Sequence, residues 1–219
     1  MTMTTSNQVV AVIADIVGSR TLGDRDAAQR AVPEAFARAD RLAGVSPVRA
    51  GWPTVGDEFQ AVYRTWQDAV RVTLRLPAVL PEQVRLRLGL GLGEHRVMED
   101  DAAGHRIEDG TAWYRAREAI ETAEARGAHG ATAFLAEDAD LTAAVDGLVL
   151  LQDHVLGRLK ARELRLLRAL LDGATQAEAA RAEKISQSAV SQAMSRSGAT
   201  RLIDLDAALA SSSGADGTA

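Results

Sequence analysis

The chain of 219 residues contains no cysteine. Disulfides and thiolate metal sites are therefore excluded, whatever the compartment. No apolar run approaches the length that crosses a membrane, and the first residues, MTMTTSNQ, lack the basic start and apolar core of a signal peptide. We therefore expect a cytoplasmic protein with no membrane partner. Lysine is scarce as well, since Lys160 and Lys184 are the only two in the chain.

The remaining composition is that of an ordinary globular protein, with 47% hydrophobic and 25% charged residues. The net charge of −5 is unevenly distributed. Residues 1–153 carry 16 Arg against 23 Asp and Glu, whereas residues 154–202 carry 9 Lys and Arg against 4 acidic residues. This change of sign indicates two parts with different partners. We predict domains at 1–154 and 155–210, followed by a disordered tail over 211–219.

The first informative segment is VVAVIADIVGSR at residues 9–20. Its β-branched run predicts a buried strand, and Asp15 places a carboxylate near the end of that strand. Burying a charge costs free energy unless the charge is paired or binds a metal. Gly18 and Ser19 follow, where we expect the chain to turn. Asp15 is therefore either a metal ligand or a residue that caps this turn.

A second acidic segment, Gly56-Asp57-Glu58-Phe59, lies at the bend of a predicted hairpin. We expect its strands at 45–52 and 58–63, an arrangement that brings Asp57 back beside Asp15. Two carboxylates at neighbouring strand ends can bind a divalent cation, which in turn can bind a triphosphate. Gly-Asp is also common in plain hairpin turns, so the pairing of the two segments is what favours a metal site.

The remaining pattern predicts an α+β fold with the order βαββαβ, a ferredoxin-like or palm-like sheet with helices on one face. Glycines at alternating positions, Gly89, Gly91 and Gly93, would let another element approach their strand closely. The predicted helices span 24–42, 65–76 (ended by Pro77) and 110–126, the later strands span 84–92 and 127–134, and an exposed loop over the site spans 94–109.

The C-terminal segment predicts a small all-α helix-turn-helix domain. Thr175 and Glu178 have the capping-box spacing, and Ser186 can cap a second helix. The exposed face of that second helix carries side chains that can contact base edges or phosphates. These predicted DNA-binding residues are Gln187, Ser188, Ser191, Gln192 and Arg196. The alternative is a helical hairpin used for dimerisation.

These motifs resemble those of class III nucleotide cyclases. ADIVGS at 14–19 and VGDEFQAV at 55–62 look like the paired metal motifs of that family, and the acidic hairpin is also similar to that of diguanylate cyclases. LGLGLGEHRV at 88–97 and GTAWYRAREAI at 110–120 follow in the order of the later cyclase motifs. Over nearly its whole length the chain resembles the SatD family of bacterial proteins, which joins such a domain to a C-terminal helix-turn-helix.

The cyclase resemblance implies roles for individual residues. Asp15 and Asp57 match the carboxylates that bind the catalytic cations, so Mg²⁺ or Mn²⁺ is the implied cofactor. Arg117 matches an arginine that stabilises the transition state across a dimer interface, although a solvent-exposed helix arginine is the alternative. The implied nucleotide-binding residues are Ile16, Gly18, Ser19 and Gly56.

Two recognition residues of the cyclases are absent. Pro53 stands where cyclases have the lysine that reads the purine, and Trp113 or a neighbour stands where they have the asparagine that orients the ribose. We therefore favour a homodimeric, DNA-binding transcriptional regulator whose cyclase-like domain senses a nucleotide, a cyclic nucleotide or a metal. The alternative is a metal-dependent nucleotidyl cyclase whose helix-turn-helix only localises or dimerises it.

Overall fold

The structure, a computed structural model, describes residues 8–54, 56–97, 108–127 and 132–213. Within these residues it contains seven strands and eight α-helices, with a short 3-10 turn at Ser19–Thr21. In chain order the strands and helices are β1 (Gln8–Ile16), α1 (Arg25–Ala43), β2 (Arg49–Pro53), β3 (Glu58–Tyr63), α2 (Trp66–Val79), β4 (Leu86–Glu94), β5 (Arg96–Val97), β6 (Glu108–Asp109), α3 (Thr111–Ala125), β7 (Thr132–Leu135), α4 (Ala139–Arg158), α5 (Ala161–Leu171), α6 (Gln176–Glu183), α7 (Gln187–Ser197) and α8 (Ala199–Ser213).

Five strands form the central sheet, in the order β2-β3-β1-β4-β7. The central strand β1 pairs antiparallel with β3 and β4, and β7 pairs parallel with β4. In this register Asp15 lies opposite Glu58 on one side and Arg87 on the other. The mixed α+β class predicted from the sequence is confirmed.

Helices cover both faces of this sheet, which corrects the prediction of helices on one face. Val10 and Val12 pack with α1 and α2, whereas Ala11 and Ile13 pack with α3. Since β1 is apolar at almost every position, it has to be covered on both sides. The predicted close approach at the glycines is confirmed, because a Cβ on Gly89 would collide with the backbone of α3.

The last four helices form a second apolar core that packs on α2. Leu166, Val190 and Met194 are buried in it together with Leu74 of α2. Helix α8 then returns along α2, where Asp206 accepts hydrogen bonds from Arg71 and Arg75. The C-terminal helices are thereby fixed to the part of the chain that carries the sheet.

Several predicted boundaries need correction. Helix α2 continues through Pro77 to Val79, because a proline in the final turn removes only a donor close to the helix end. Strand β2 begins at Arg49, so residues 45–48 are not part of it. Residues 211–213 belong to α8 rather than to a disordered tail, and the Ser213 hydroxyl donates to Asp68.

Some predictions lie outside the described residues. These are the tail beyond residue 213, most of the loop predicted over 94–109, and the start of the strand predicted over 127–134. The predicted domain boundary after residue 154 falls within α4 and stays a prediction. In the described part of the chain, no helix has the length and apolar character that crossing a membrane requires.

Candidate functional site

Asp15 lies at the end of β1, on the sheet face that α3 covers. Its Oδ2 accepts a hydrogen bond from Arg87 Nη1 at 3.1 Å, and its side chain is 37% exposed. Burial raises the pKa of Asp15, Arg87 lowers it, and the charges of Asp57, Glu124 and Glu58 raise it again, so that the net shift is upward. Burial is the largest of these causes, and a bound cation would lower the pKa of Asp15 in the same way as Arg87 does.

Asp57 lies in the turn between β2 and β3, as predicted, next to Gly56 with a φ of 76°. Its Oδ1 accepts hydrogen bonds from Arg25 Nη2 at 2.5 Å and from Gln29 Nε2 at 2.9 Å, both on α1. A hydrogen bond with Ser19, assisted by those of Arg25 and Gln29, lowers the pKa of Asp57. Asp57 is therefore an ionised carboxylate held between two loops and a helix start.

The connection from β1 to α1 turns sharply at Gly18, whose φ of 66° is left-handed. The Thr21 hydroxyl and amide both bond to the Gly18 carbonyl, which closes the turn. Of the predicted nucleotide-binding residues, Gly18, Ser19 and Gly56 lie in the two loops beside the carboxylates. The side chain of Ile16 is buried in the core, so only its backbone is available to a ligand.

Arg117 projects from α3 to the same end of the sheet. Its Nη1 and Nη2 donate to the two carboxylate oxygens of Glu58, at 2.5 and 2.9 Å. This bidentate pair raises the pKa of Arg117. Glu58 follows Asp57 directly and lies opposite Asp15. Arg117 therefore contacts a residue that neighbours both predicted metal ligands. Its role in catalysis stays a prediction.

Four residues of this site were not predicted from the sequence. They are Arg25, Gln29, Glu58 and Arg87, each of which contacts a predicted residue. Arg87 could have been identified from the sequence, because it lies two residues before Gly89 and therefore shares the strand face of the β4 glycines. Glu58 lay within the acidic motif itself, whereas Arg25 and Gln29 reach Asp57 only through the packing of α1 on the sheet.

The carboxylates suit a magnesium or manganese ion that is bound together with a nucleotide. Within residues 8–54, 56–97, 108–127 and 132–213, no group of three or more metal-ligating side chains occurs. Mg²⁺, however, commonly uses only one or two protein carboxylates, since phosphates and waters complete its octahedron. Asp15 and Asp57 provide such hard oxygen donors. Arg25 and Arg87 now bond to oxygens that a cation would use, so these guanidinium groups would have to move.

Trp52 of β2 and Trp113 of α3 form an aromatic pair. Trp113 packs edge-on against Trp52, with ring centroids 6.1 Å apart, and the Arg49 guanidinium lies 3.6 Å from the Trp52 ring centroid. Pro53 ends β2 beside this pair.

The predicted DNA-binding residues lie on α7. Helix α6 starts with the predicted capping box of Thr175 and Glu178, and Ser186 caps α7 by accepting from the Ala189 amide. Between the helices Lys184 has a φ of 56°, the one positive φ of a non-glycine residue among those that the structure describes. Val190 and Met194 face the core. The five predicted residues, Gln187, Ser188, Ser191, Gln192 and Arg196, are all exposed.

A family model described as the SatD family matches residues 9–204 of this chain. The chain belongs to the SatD family. The family resemblance predicted from the motifs is thus confirmed, over 196 of the 219 residues. No curated protein matches this SatD-family chain.

Solved structures similar to this SatD-family chain include three cyclases. A bacterial light-regulated adenylyl cyclase is 15% identical with a TM-score of 0.39, covering 52% of this chain and 40% of that one. The guanylate cyclase domain of RhGC from Catenaria anguillulae, in complex with GTP, is 20% identical with a TM-score of 0.37, covering 51% and 71%. The adenylate cyclases from Trypanosoma brucei in their monomeric state are 20% identical with a TM-score of 0.33, covering 51% of this chain and 68% of that one. Activity does not transfer at such values.

Proposed function

We propose that this chain binds a nucleoside triphosphate with Mg²⁺ or Mn²⁺ at the end of β1 and converts it as a nucleotidyl cyclase. The observation that supports this most is the position of two carboxylates from separate elements, because Asp15 lies opposite Glu58 across the sheet and Asp57 directly precedes Glu58. They lie beside a left-handed turn at Gly18 and a serine hydroxyl, Ser19. Small residues and oxygen donors of this kind suit the close approach of a triphosphate.

Each charged group at this end of the sheet has a role in the proposal. Asp15 and Asp57 would hold the cation, which when bound neutralises triphosphate charge and promotes attack of the 3′-hydroxyl on the α-phosphorus. Once the carboxylates face a cation, Arg25 and Arg87 are free to donate to phosphate oxygens. Arg117, now held by Glu58, would stabilise the charge that develops as pyrophosphate leaves.

Each of the four common nucleotides is a candidate substrate, because Pro53, and Trp113 or a neighbour, stand in place of the base-reading and ribose-orienting residues of the cyclases. The test therefore uses ATP, GTP, CTP and UTP, each with Mg²⁺ and with Mn²⁺. Release of pyrophosphate together with a cyclic product is measured on the full chain. We expect turnover with at least one nucleotide, and no pyrophosphate release with any of them would contradict cyclase activity.

Variants assign the turnover to the site. We expect Asp15→Asn and Asp57→Asn each to reduce turnover by about 100-fold or more, because each removes a cation ligand. Asp204→Asn is the matched control, since Asp204 is an exposed aspartate on α8. A turnover that falls equally in all three variants would show that the loss is not specific to the site.

A second function, DNA binding, is supported by a separate observation. The polar residues on α7, from Gln187 to Arg196, are exposed on one face, and residues 154–202 carry an excess of 5 positive charges. We propose that residues 155–210 bind DNA in a homodimeric transcriptional regulator, with residues 1–154 as the nucleotide-binding part. A single small module binds weakly, so two copies are required for a specific site.

The test of this second function is selection of DNA fragments by the full chain, followed by gel-shift titration at several salt concentrations. We expect Arg196→Ala to weaken binding by about 10-fold, since one base or phosphate contact is lost. Arg162→Ala is the control, because Arg162 is an exposed arginine of α5. Equal effects of the two variants, or no selected sequence, would contradict a recognition role for α7.

A further inference from the structure

Helix α4 carries one stripe of residues whose spacing of four and three places them on a single face. The stripe consists of Asp140, Ala144, Gly147, Leu151, His154 and Arg158. Its two ends have opposite charges, and the residues between them carry no carboxylate, lysine or arginine. Asp140 and Arg158 are separated by 18 residues, which is five helical turns or about 27 Å.

This stripe is exposed and unusually apolar. Leu151 is 68% exposed and the adjacent Leu150 is 48% exposed, and these are two of the four exposed large hydrophobic side chains in the described residues. The acidic residues in the middle of α4 point inward instead, since Asp146 bonds to Arg126 and Asp153 bonds to Thr132. Between Asp140 and Arg158 the solvent-facing side is thereby left without a carboxylate, lysine or arginine.

A shallow groove lies along the stripe, between α4 and α8. It has a volume of about 440 Å³, and its walls include Leu148, Val155, Leu202 and Leu205. An apolar groove beside protruding leucines is typical of a protein–protein contact surface. The stripe contains both the protrusion, at Leu151, and the space to receive one, at Gly147.

We infer that two copies of this chain associate through α4, with the two helices antiparallel about a two-fold axis. The charges favour this occupant, because an antiparallel pair brings Asp140 against Arg158 of the partner subunit at both ends. A parallel pair would place like charges together. Neither Asp140 nor Arg158 forms an ion pair with another part of the chain that the structure describes.

The register that these charges set also makes the shapes complementary. If residue 140 lies opposite residue 158, then Leu151 lies opposite Gly147 of the partner subunit. A Cβ at Gly147 would meet nothing within 4 Å, so this position is open toward the partner. In the same register His154 lies opposite Ala144 of the partner subunit. Large residues thus face small ones along the stripe, which lets two helices approach closely.

The first test is sedimentation velocity of the full chain over a dilution series, with one variant in the stripe and one control. We expect the wild-type chain to be a dimer at about 100 μM, as an interface of ordinary size would give. Leu151→Lys should raise the dissociation constant by about 10-fold or more. Val48→Lys, at an exposed apolar residue before β2, should leave it unchanged.

The second test is a charge exchange that reports the direction of the helices. Asp140→Arg and Arg158→Asp each create two like-charge contacts in the antiparallel pair and should weaken association by about 5-fold to 10-fold. The double variant restores both contacts and should return the dissociation constant to within about 3-fold of wild type. A monomeric wild type, a dimer insensitive to Leu151→Lys, or a double variant weaker than both single variants would overturn the inference.

Discussion

The junction between α2 and α8 and the end of the sheet both pair arginines with carboxylates, but in different surroundings. At the junction Asp206 accepts from Arg75 at 2.6 and 2.9 Å and from Arg71 at 3.1 Å, and the Arg75 side chain is only 3% exposed. At the sheet end Arg87 makes one contact with Asp15 at 3.1 Å, and Arg25 is 48% exposed. The buried pairs at the junction fix two parts of the chain together, whereas the half-exposed Arg25 at the sheet end can exchange Asp57 for a ligand.

The carboxyl pKa values show the same contrast. Burial raises the pKa of Asp206, but the hydrogen bonds and charges of Arg75 and Arg71 outweigh it, and the net pKa is lowered. Burial also raises the pKa of Asp15, and there the charge of Arg87 does not offset burial and the neighbouring carboxylates together, so the net pKa is raised. The arginines of the junction therefore stabilise the charged form of Asp206, whereas the surroundings of Asp15 disfavour its charged form.

The largest effect is expected from breaking the buried pair. Asp206→Ala leaves Arg75 buried without its carboxylate, and we expect the free energy of unfolding to fall by about 3–4 kcal/mol. Urea denaturation measures this change. Asp204→Ala, two residues away on the exposed side of α8, should cost less than about 0.5 kcal/mol. If the two variants were equally stable, the junction would not depend on the buried pair.

A smaller effect is expected at Asp40, which is buried beside a neutral partner. Tyr63 donates to Asp40 Oδ1 at 2.9 Å, and burial raises the pKa of Asp40 to about 6. Because the folded state binds this proton more tightly than the unfolded state, the contribution of Asp40 is fully present below about pH 4 and is lost as the pH rises through about 6. Asp206 has the opposite sign, since its contribution is lost as the pH falls.

Replacing Asp40 by asparagine tests this sign. Asparagine keeps an oxygen that accepts from Tyr63 and carries no charge, so Asp40→Asn should raise the free energy of unfolding by about 2 kcal/mol near pH 8. Near pH 4 the gain should vanish. Urea denaturation at the two pH values measures the difference, and a gain of the same size at both would contradict the raised pKa.

The smallest change in stability is expected at the sheet end. Arg25→Gln removes an exposed partner of Asp57, and we expect the free energy of unfolding to change by less than about 1 kcal/mol. The same variant removes a competitor for the carboxylate, so Mn²⁺ without nucleotide should bind at least about 3-fold more tightly. Arg20→Gln, an exposed arginine of the adjacent turn, is the control. Weaker Mn²⁺ binding in Arg25→Gln would argue against the proposed exchange of partners.

The sequence alone predicted the arrangement of the site well where local pattern and strand pairing decide it. Once a hairpin with Asp57 at its turn was predicted, pairing of that hairpin with the first strand placed Asp57 beside Asp15. The helix caps at Thr175 and Ser186 were also predicted from the sequence, because a cap is a local interaction.

The rest depended on contacts between distant segments. Arg25 reaches Asp57 across 32 residues and Arg75 reaches Asp206 across 131, and no local pattern encodes such distances. The helix at α3 was predicted, but the sheet face that it covers was not, for a related reason. Gly89 indicated that something lies close to β4, but it did not identify what, since an alanine-rich helix gives only a weak apolar stripe.

The most direct test of the proposed site is Mn²⁺ binding followed by electron paramagnetic resonance, in which free Mn²⁺ is observed and bound Mn²⁺ loses its signal. Titrations are made with each nucleoside triphosphate on the wild-type chain and on Asp15→Asn, Asp57→Asn and Asp204→Asn. We predict nucleotide-dependent binding by the wild type and by Asp204→Asn, with loss of at least about 10-fold in affinity in the other two variants. Binding that is absent from the wild type, or equal in all four proteins, would contradict a nucleotide and cation site at Asp15 and Asp57.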